Sequence, residues 1–184
     1  MIGVNSERIK PILPYIGLPL VAAGLFFARA GNTDMFALFL LELVSAFGYV
    51  ASVYDLKYKK IPNALILAMI FAWALAMAPK LFLDADSAVS LLKEAGLGFL
   101  CGGGLFLLVY SISRRGLGGG DVKFMAAAGL YLGFSGILSA MLYGSVLAAL
   151  AGLSLLLLKK IGRKDSIPLA PFLYAGILAT VFWM

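Results

Sequence analysis

Long apolar segments dominate this chain and leave few folds open to it. They run approximately over residues 11–30, 35–54, 62–83, 95–113, 122–134, 136–158 and 167–184. Of the 184 residues, 62% are hydrophobic and 13% are charged, whereas an ordinary soluble domain carries about 25% charged residues. Because a membrane-spanning helix needs about 20 apolar residues, the sequence predicts an all-α, polytopic transmembrane helix bundle. We expect about seven spans in a single integral membrane domain over residues 1–184.

The stretch between Lys123 and Lys159 contains no charged residue. It is too long for one span and short for two, so we expect two short helices over about 122–134 and 136–158. At about 1.5 Å per residue, the first is only about 20 Å long, so the glycine-rich run before it should dip toward the membrane, or the bilayer should thin there. Irregular backbone at that depth needs protein or water to satisfy its amides. We therefore expect a water-filled recess beside residues 116–121.

The basic residues predict an orientation in the bilayer. If the N-terminus is cytoplasmic, all of the 15 basic residues except Arg29, Lys80 and Lys93 fall on the cytoplasmic side, which is the bias that sets membrane topology. The cytoplasmic set is Arg8, Lys10, Lys57, Lys59, Lys60, Arg114, Arg115, Lys123, Lys159, Lys160, Arg163 and Lys164. We therefore expect a multi-pass cell-membrane protein with its C-terminus outside. We attribute the net charge of +6 to the basic residues that orient the chain in the lipid bilayer. We therefore expect no nucleic-acid partner.

Small residues recur at helical spacing in two of the predicted spans. They are Ala140, Gly144, Ala148 and Gly152 in one, and Gly98 and Gly102 in another. Such patterns let helix backbones approach closely. The sequence leaves open whether the contacts lie within one bundle or between copies of the chain, so it does not fix the oligomeric state.

The chain contains no histidine and a single cysteine, Cys101. This composition excludes histidine-dependent catalytic triads, histidine metal sites and an internal disulfide. We therefore expect neither a metal nor a cofactor.

Three carboxylates lie where apolar sequence makes a charge costly: Glu42, Asp55 and Asp121. The predicted topology puts Asp55 at the cytoplasmic end of the second span and Asp121 at the cytoplasmic start of the fifth, so both lie at the same depth. Two such carboxylates can share a proton, with one acting as a base toward water while the other polarises a carbonyl. The residue types alone also allow both to pair with neighbouring lysines at the interface. Glu42 is too far along its helix to join the pair, and we expect it to be a satisfied interior group.

Neighbouring residues suit such a site. We expect the glycines at 118, 119 and 120 to form a loop beside Asp121 against which an extended substrate could lie, as an active-site loop would require. Pro62 suits an early helical position. A serine–lysine protease dyad is not expected, because Ser52, Ser111 and Ser113 have no lysine placed within a span to serve as the base.

Three strings carry a family resemblance. They are Asp55 before a basic loop ending in Ile61-Pro62-Asn63, a Gly-x-Gly-Asp motif over Gly118 to Asp121 followed by Val122-Lys123, and a late Ile167-Pro168-Leu169-Ala170-Pro171-Phe172-Leu173. Their order and spacing resemble the type IV prepilin peptidase family, which includes archaeal preflagellin peptidases, over about residues 36–184. The resemblance implies a six-span peptidase core over 35–184, with 1–34 as an additional N-terminal span.

The resemblance also implies an activity. It is that of an intramembrane aspartyl endopeptidase, which removes the leader peptide from pilin-like or archaellin-like precursors at the cytoplasmic membrane face. Asp55 and Asp121 would be the catalytic pair and Gly118 and Gly120 would shape the site, with Lys123, Pro62 and Asn63 as possible supporting residues. Larger bacterial members also carry a Cys-rich cytoplasmic segment and methylate the new N-terminus. With only Cys101, this chain is expected to be a peptidase alone.

Two other function classes compete with the protease. In a small cation-coupled or proton-coupled transporter, Glu42, Asp55 and Asp121 would carry the ion. A transporter site is expected near the bilayer centre between repeats, whereas Asp55 and Asp121 are predicted near one face. An inactive membrane scaffold predicts neither the paired aspartates nor the glycine loop.

Overall fold

The structure, a computed structural model, describes residues 17–29, 31, 33–113, 117–159 and 167–183, and the secondary structure of these residues consists of helices joined by short connections. The helices are α1 (Gly17–Arg29), α2 (Met35–Tyr58), α3 (Asn63–Leu83), α4 (Ala85–Ile112), α5 (Gly119–Leu157) and α6 (Ala170–Trp183). Four of them, α2 to α5, are long and apolar enough to cross a membrane, whereas α1 and α6 are shorter apolar helices. The predicted all-α class is confirmed.

Helix α5 is broken at Gly133, whose φ of 65° and ψ of −171° are not helical. This conformation is accessible to glycine because glycine has no Cβ. The break confirms the prediction of two consecutive helices and places their junction at residue 133. The first part, residues 119–132, is about 20 Å long at 1.5 Å per residue.

Helix α4 begins ten residues earlier than the predicted fourth segment, at Ala85 instead of 95. That predicted boundary was wrong because residues 85–94 mix apolar and polar side chains, so hydropathy alone does not mark them as part of the helix. The Oδ1 atom of Asp84 accepts a hydrogen bond from the Ser87 N–H at 3.3 Å and so caps the helix. Hydrogen bonds from Ser87 also lower the pKa of Asp84. Lys93 and Glu94 consequently lie within α4.

Both ends of α2 are fixed by local hydrogen bonds. Asp34 caps its start, where its Oδ2 atom accepts from the N–H groups of Phe36 and Ala37 at 3.2 and 3.4 Å. At its end, Lys59 adopts a left-handed conformation with φ of 51°, and its N–H donates to the Asp55 carbonyl at 2.7 Å. This termination turns the chain toward α3 immediately after Asp55.

Glycines bring the helices into close contact. A Cβ at Gly98 of α4 would overlap the Gly129 carbonyl and the backbone of Gly133, and one at Gly102 would meet the Met125 carbonyl. A Cβ at Gly176 of α6 would likewise overlap α5, at Ala140 and Gly144. Four of the small residues singled out in the sequence, Gly98, Gly102, Ala140 and Gly144, therefore pack within one bundle.

Helix α1 packs mainly on α2 and buries Leu25. It covers residues 17–29 of the predicted span 11–30, whose remaining residues lie outside the described part of the chain. Several residues behind the orientation prediction also lie outside it: Arg8, Lys10, Arg114, Arg115, Lys160, Arg163 and Lys164. The orientation stays a prediction.

The close α4–α5 contact predicts that a larger residue at position 98 destabilises the protein. We expect Gly98→Ala to lower the free energy of unfolding by about 1–3 kcal/mol, because the added methyl group must displace backbone atoms of α5. Gly96→Ala is the matched control, since a Cβ there meets nothing within 4 Å, and it should raise stability by about 0.5–1 kcal/mol through helix propensity. Thermal unfolding in one detergent compares the two. Equal melting temperatures for Gly98→Ala and the parent protein would contradict the packing.

Candidate active site

Asp55 and Asp121 line one cavity of about 830 Å³ at an end of the helix bundle. Asp55 lies near the end of α2 and Asp121 in the first turn of α5. Their exposures are only 6% and 8%, yet the two carboxyl groups are close enough to interact electrostatically. The sequence placed these residues at the same depth, and the structure brings them together.

The other predicted site residues lie around the same cavity. Those residues are Pro62, Asn63, Gly118, Gly119, Gly120 and Lys123, and the lining also includes Tyr54, Tyr58, Lys59, Lys60 and Ile61. The cavity adjoins residues 118–121, where a recess was expected. Its rim is basic and aromatic, and its two buried carboxylates provide the acidic groups.

Asp55 is held by a backbone group that the sequence analysis did not assign. The N–H of Ala170 donates a hydrogen bond of 3.0 Å to the Oδ2 atom of Asp55, and this contact is buried. Ala170 is the first residue of α6, and the Leu169 carbonyl before it accepts from the N–H groups of Phe172 and Leu173. The first N–H groups of a helix have no partner within it, so the start of α6 has a free donor for the carboxylate.

A sequence signal for this contact was present in the Ile167 to Leu173 string. Prolines at 168 and 171 flank Ala170, and proline is favoured near a helix start, where its missing N–H costs nothing. The string therefore indicated a helix N-terminus. Only the tertiary fold places that terminus beside Asp55.

Asp121 has a different environment. Its Oδ1 atom is buried and has no hydrogen-bond partner among the described residues. Its Oδ2 atom lies against Gly118, where an added Cβ would approach it to 2.7 Å. The Asp121 carboxyl therefore has an oxygen without a protein partner among the described residues, and a catalytic role is one explanation for such an unsatisfied buried atom.

The three glycines before Asp121 are not equivalent. Gly118 precedes α5, and its carbonyl accepts from the N–H groups of Asp121 and Val122, which starts the helix. Gly119 and Gly120 are the first residues of α5, so the prediction of a loop over all three was wrong. A Cβ at Gly120 would lie 3.3 Å from Cβ of Ile61, whereas one at Gly119 meets nothing within 4 Å. Gly118 and Gly120 are thus the positions where space is short.

Lys123 and Asn63 contact each other at the edge of the cavity. The Nζ atom of Lys123 donates to Oδ1 of Asn63 at 3.0 Å, joining the start of α5 to the start of α3. Pro62 caps α3 with its carbonyl, which accepts from the N–H groups of Leu65 and Ile66. It therefore precedes the helix and does not occupy an early helical position.

Glu42 does not reach this cavity. It lines a separate void of about 10 Å³ between α1 and α2, together with Ser45 and Tyr49. Its Oε1 atom is buried with no hydrogen-bond partner in the described part of the chain, so the expectation of a satisfied interior group was wrong for this atom. The three carboxylates that a transporter would use do not share one cavity.

Comparison with known proteins bears on what this cavity does. The sequence model of the type IV leader peptidase family matches residues 43–153, a range that contains both aspartates. The chain belongs to the type IV leader peptidase family. Family membership and several apolar helices make it a multi-pass membrane protein. No solved structure matches the chain.

The chain is similar to several proteins named prepilin leader peptidase/N-methyltransferase. It is 30% identical to the Bacillus subtilis protein over 91% of this chain and 66% of that protein. It is 29% identical to the Xanthomonas campestris protein over 77% of this chain and 48% of that one. It is 28% identical to the Legionella pneumophila protein over 81% of this chain and 50% of that one. The chain thus spans about half to two thirds of the length of these relatives.

Proposed function

We propose that this protein is an intramembrane aspartyl endopeptidase that removes the leader peptide from type IV prepilin-like or preflagellin-like precursors. The observation that carries the proposal is that Asp55 and Asp121, distant in sequence, line one cavity of a chain that belongs to the type IV leader peptidase family. Its relatives are named prepilin leader peptidases, and these names support prepilin-like precursors as the substrate class.

The contacts of the two carboxyl groups suggest separate roles. An ionised carboxylate is stabilised by hydrogen bonds from N–H donors, and Asp55 accepts one from Ala170. Asp121 has an oxygen without such a donor. We assign Asp55 as the base that takes a proton from water, and Asp121 as the protonated partner that donates a hydrogen bond to the peptide carbonyl.

Bond cleavage then follows the usual course of aspartyl hydrolysis. The water oxygen attacks the carbonyl carbon, and its proton passes to Asp55 while Asp121 stabilises the oxygen of the tetrahedral intermediate. The C–N bond breaks when the leaving nitrogen receives a proton, which yields a free carboxylate and a new amino terminus. The two carboxyl groups supply all proton transfers, so the scheme needs neither a metal nor a cofactor.

The rest of the cavity suits an extended peptide at a membrane surface. Tyr54 and Tyr58 form an aromatic pair, with ring centroids 5.4 Å apart, on its wall. Lys59, Lys60 and Lys123 line the same opening, and basic residues collect on the cytoplasmic side of membrane proteins. We therefore propose that the site faces the cytoplasm and that the precursor's apolar helix stays in the lipid. The proposed topology has a six-span core and one additional N-terminal span that includes α1.

The assignment of the pair predicts a sharp loss of activity on removal of either carboxylate. We expect Asp55→Asn and Asp121→Asn each to slow cleavage by roughly 10²-fold or more while the protein still folds, because each removes a distinct proton-transfer role. Glu42→Gln is the matched control, since Glu42 is a half-buried carboxylate on α2 away from the cavity. The assay incubates detergent-solubilised protein with a precursor and maps the new N-terminus. Near-normal turnover by either aspartate variant would rule out the assignment.

The contact from Ala170 predicts a second effect. Ala170→Pro removes the N–H donor at a helix position that tolerates proline, and we expect kcat to fall by about tenfold or more with KM unchanged. Ala170→Ser keeps the N–H and should retain parental kinetics. An ester in place of the amide between Leu169 and Ala170 removes the same donor without adding atoms, and it should match Ala170→Pro. Parental kcat for the ester would show that the contact does not position Asp55.

We further propose that the activity is peptidase alone, although the names of the relatives include N-methyltransferase. The proposal rests on the single cysteine of these 184 residues, Cys101, which lies within α4. We expect no labelled methyl group to pass from S-adenosylmethionine to the cleaved product. Label on the new N-terminus in the presence of the purified protein would contradict this expectation.

A further inference from the structure

A second cavity of about 830 Å³ lies at the opposite end of α2 from the aspartates. Asp34, at the start of α2, is one of its lining residues, and Asp55 lies about 30 Å further along the helix at 1.5 Å per residue. Arg29, Lys80 and Asp86 also line this cavity, and Thr33, Ser87 and Ser90 add hydroxyl groups. It is therefore a polar site separate from the candidate active site.

The charges of this lining are balanced, with two cations and two carboxylates. The Nε atom of Arg29 is buried and has no hydrogen-bond partner in the described part of the chain. The Nζ atom of Lys80 lies 4.7 Å from the centroid of the Phe36 ring, which fixes its place. The Oδ2 atom of Asp34 accepts from the two N–H groups that it caps, whereas the Asp86 carboxylate caps no N–H group among the described residues, so we take Asp86 as the carboxylate that faces a ligand. The lining thus suits a ligand that carries both signs of charge.

An apolar groove of about 690 Å³ continues from this cavity between α2 and α3. The two share Phe36 and Lys80 as lining residues. Asp84 also lines the groove, and the rest of its lining is apolar and includes Phe39, Leu43, Ala72, Leu75 and Leu83. A charged head site that opens into an apolar groove matches the chemistry of a phospholipid.

We propose that the cavity and the groove together bind one phospholipid with a phosphoethanolamine headgroup. The phosphate lies between Arg29 and Lys80, the ammonium group faces Asp86, and one acyl chain follows the groove along α2 and α3. A headgroup with only negative charge would leave Asp86 against an anion, and a quaternary ammonium could not donate a hydrogen bond to Asp86. The proposal does not depend on the peptidase activity.

The test is direct binding to delipidated protein in detergent. Native mass spectrometry compares short-chain phosphatidylethanolamine with phosphatidylglycerol, phosphatidylcholine and deacylated glycerophosphoethanolamine. We expect phosphatidylethanolamine to bind at least tenfold more tightly than each of the others. Equal affinity for the three lipids would overturn the headgroup assignment, and equal affinity for the deacylated compound would overturn the role of the groove.

Substitutions of Arg29, Lys80 and Asp86 test which side chains contact the lipid headgroup. Arg29→Met and Lys80→Met should each weaken phosphatidylethanolamine binding by about tenfold or more, because each removes a charge-assisted contact to phosphate. Asp86→Asn should weaken phosphatidylethanolamine binding but leave phosphatidylglycerol binding unchanged. Lys93→Met, an exposed cation of α4 outside the cavity, is the matched control and should change neither. If the Arg29, Lys80 and Asp86 variants all bind both lipids as the parent does, the proposed site is wrong.

Discussion

Every backbone amide in hydrocarbon must find its hydrogen-bond partner within the protein, and this constraint governs the position of the candidate site. Within a helix these groups are already paired, so a membrane bundle has free donors and acceptors only at helix ends. The cavity with Asp55 and Asp121 is built from such ends: the end of α2 and the starts of α3, α5 and α6. The chemistry of the chain is thus located where its helices stop.

Close helix packing is what brings these ends together. Helix α4 touches the first part of α5 through Gly98 and Gly129, and α6 touches the second part through Gly176 and Gly144. The break at Gly133 lets the two parts of α5 have different directions, so each can follow its own partner. The contact between Ala170 and Asp55 joins α6 to α2, and these two helices also pack closely at Gly48 and Tyr174, where a Cβ on Gly48 would overlap the tyrosine ring.

Much of this arrangement could be predicted from the sequence, and the failures have identifiable causes. The apolar segments, the interruption of α5 and the proximity of Asp55 to Asp121 follow from hydropathy, segment length and charge placement. The early start of α4 was missed because residues 85–94 mix apolar and polar side chains. The contact from Ala170 was missed because the prolines at 168 and 171 indicate a helix start but not which side chain that start lies against. The free Oε1 of Glu42 depends on which helix covers it, which the sequence does not specify.

The family match and the site do not cover the same residues. Residues 43–153 contain both aspartates, but the N–H group that Asp55 accepts comes from Ala170, beyond that range. The segment 43–153 therefore has the carboxylates without the group that orients one of them, and without the α6 face that packs on Ala140 and Gly144. The hydrogen bond that distinguishes Asp55 from Asp121 is therefore supplied by helix α6, from outside the segment that carries both aspartates.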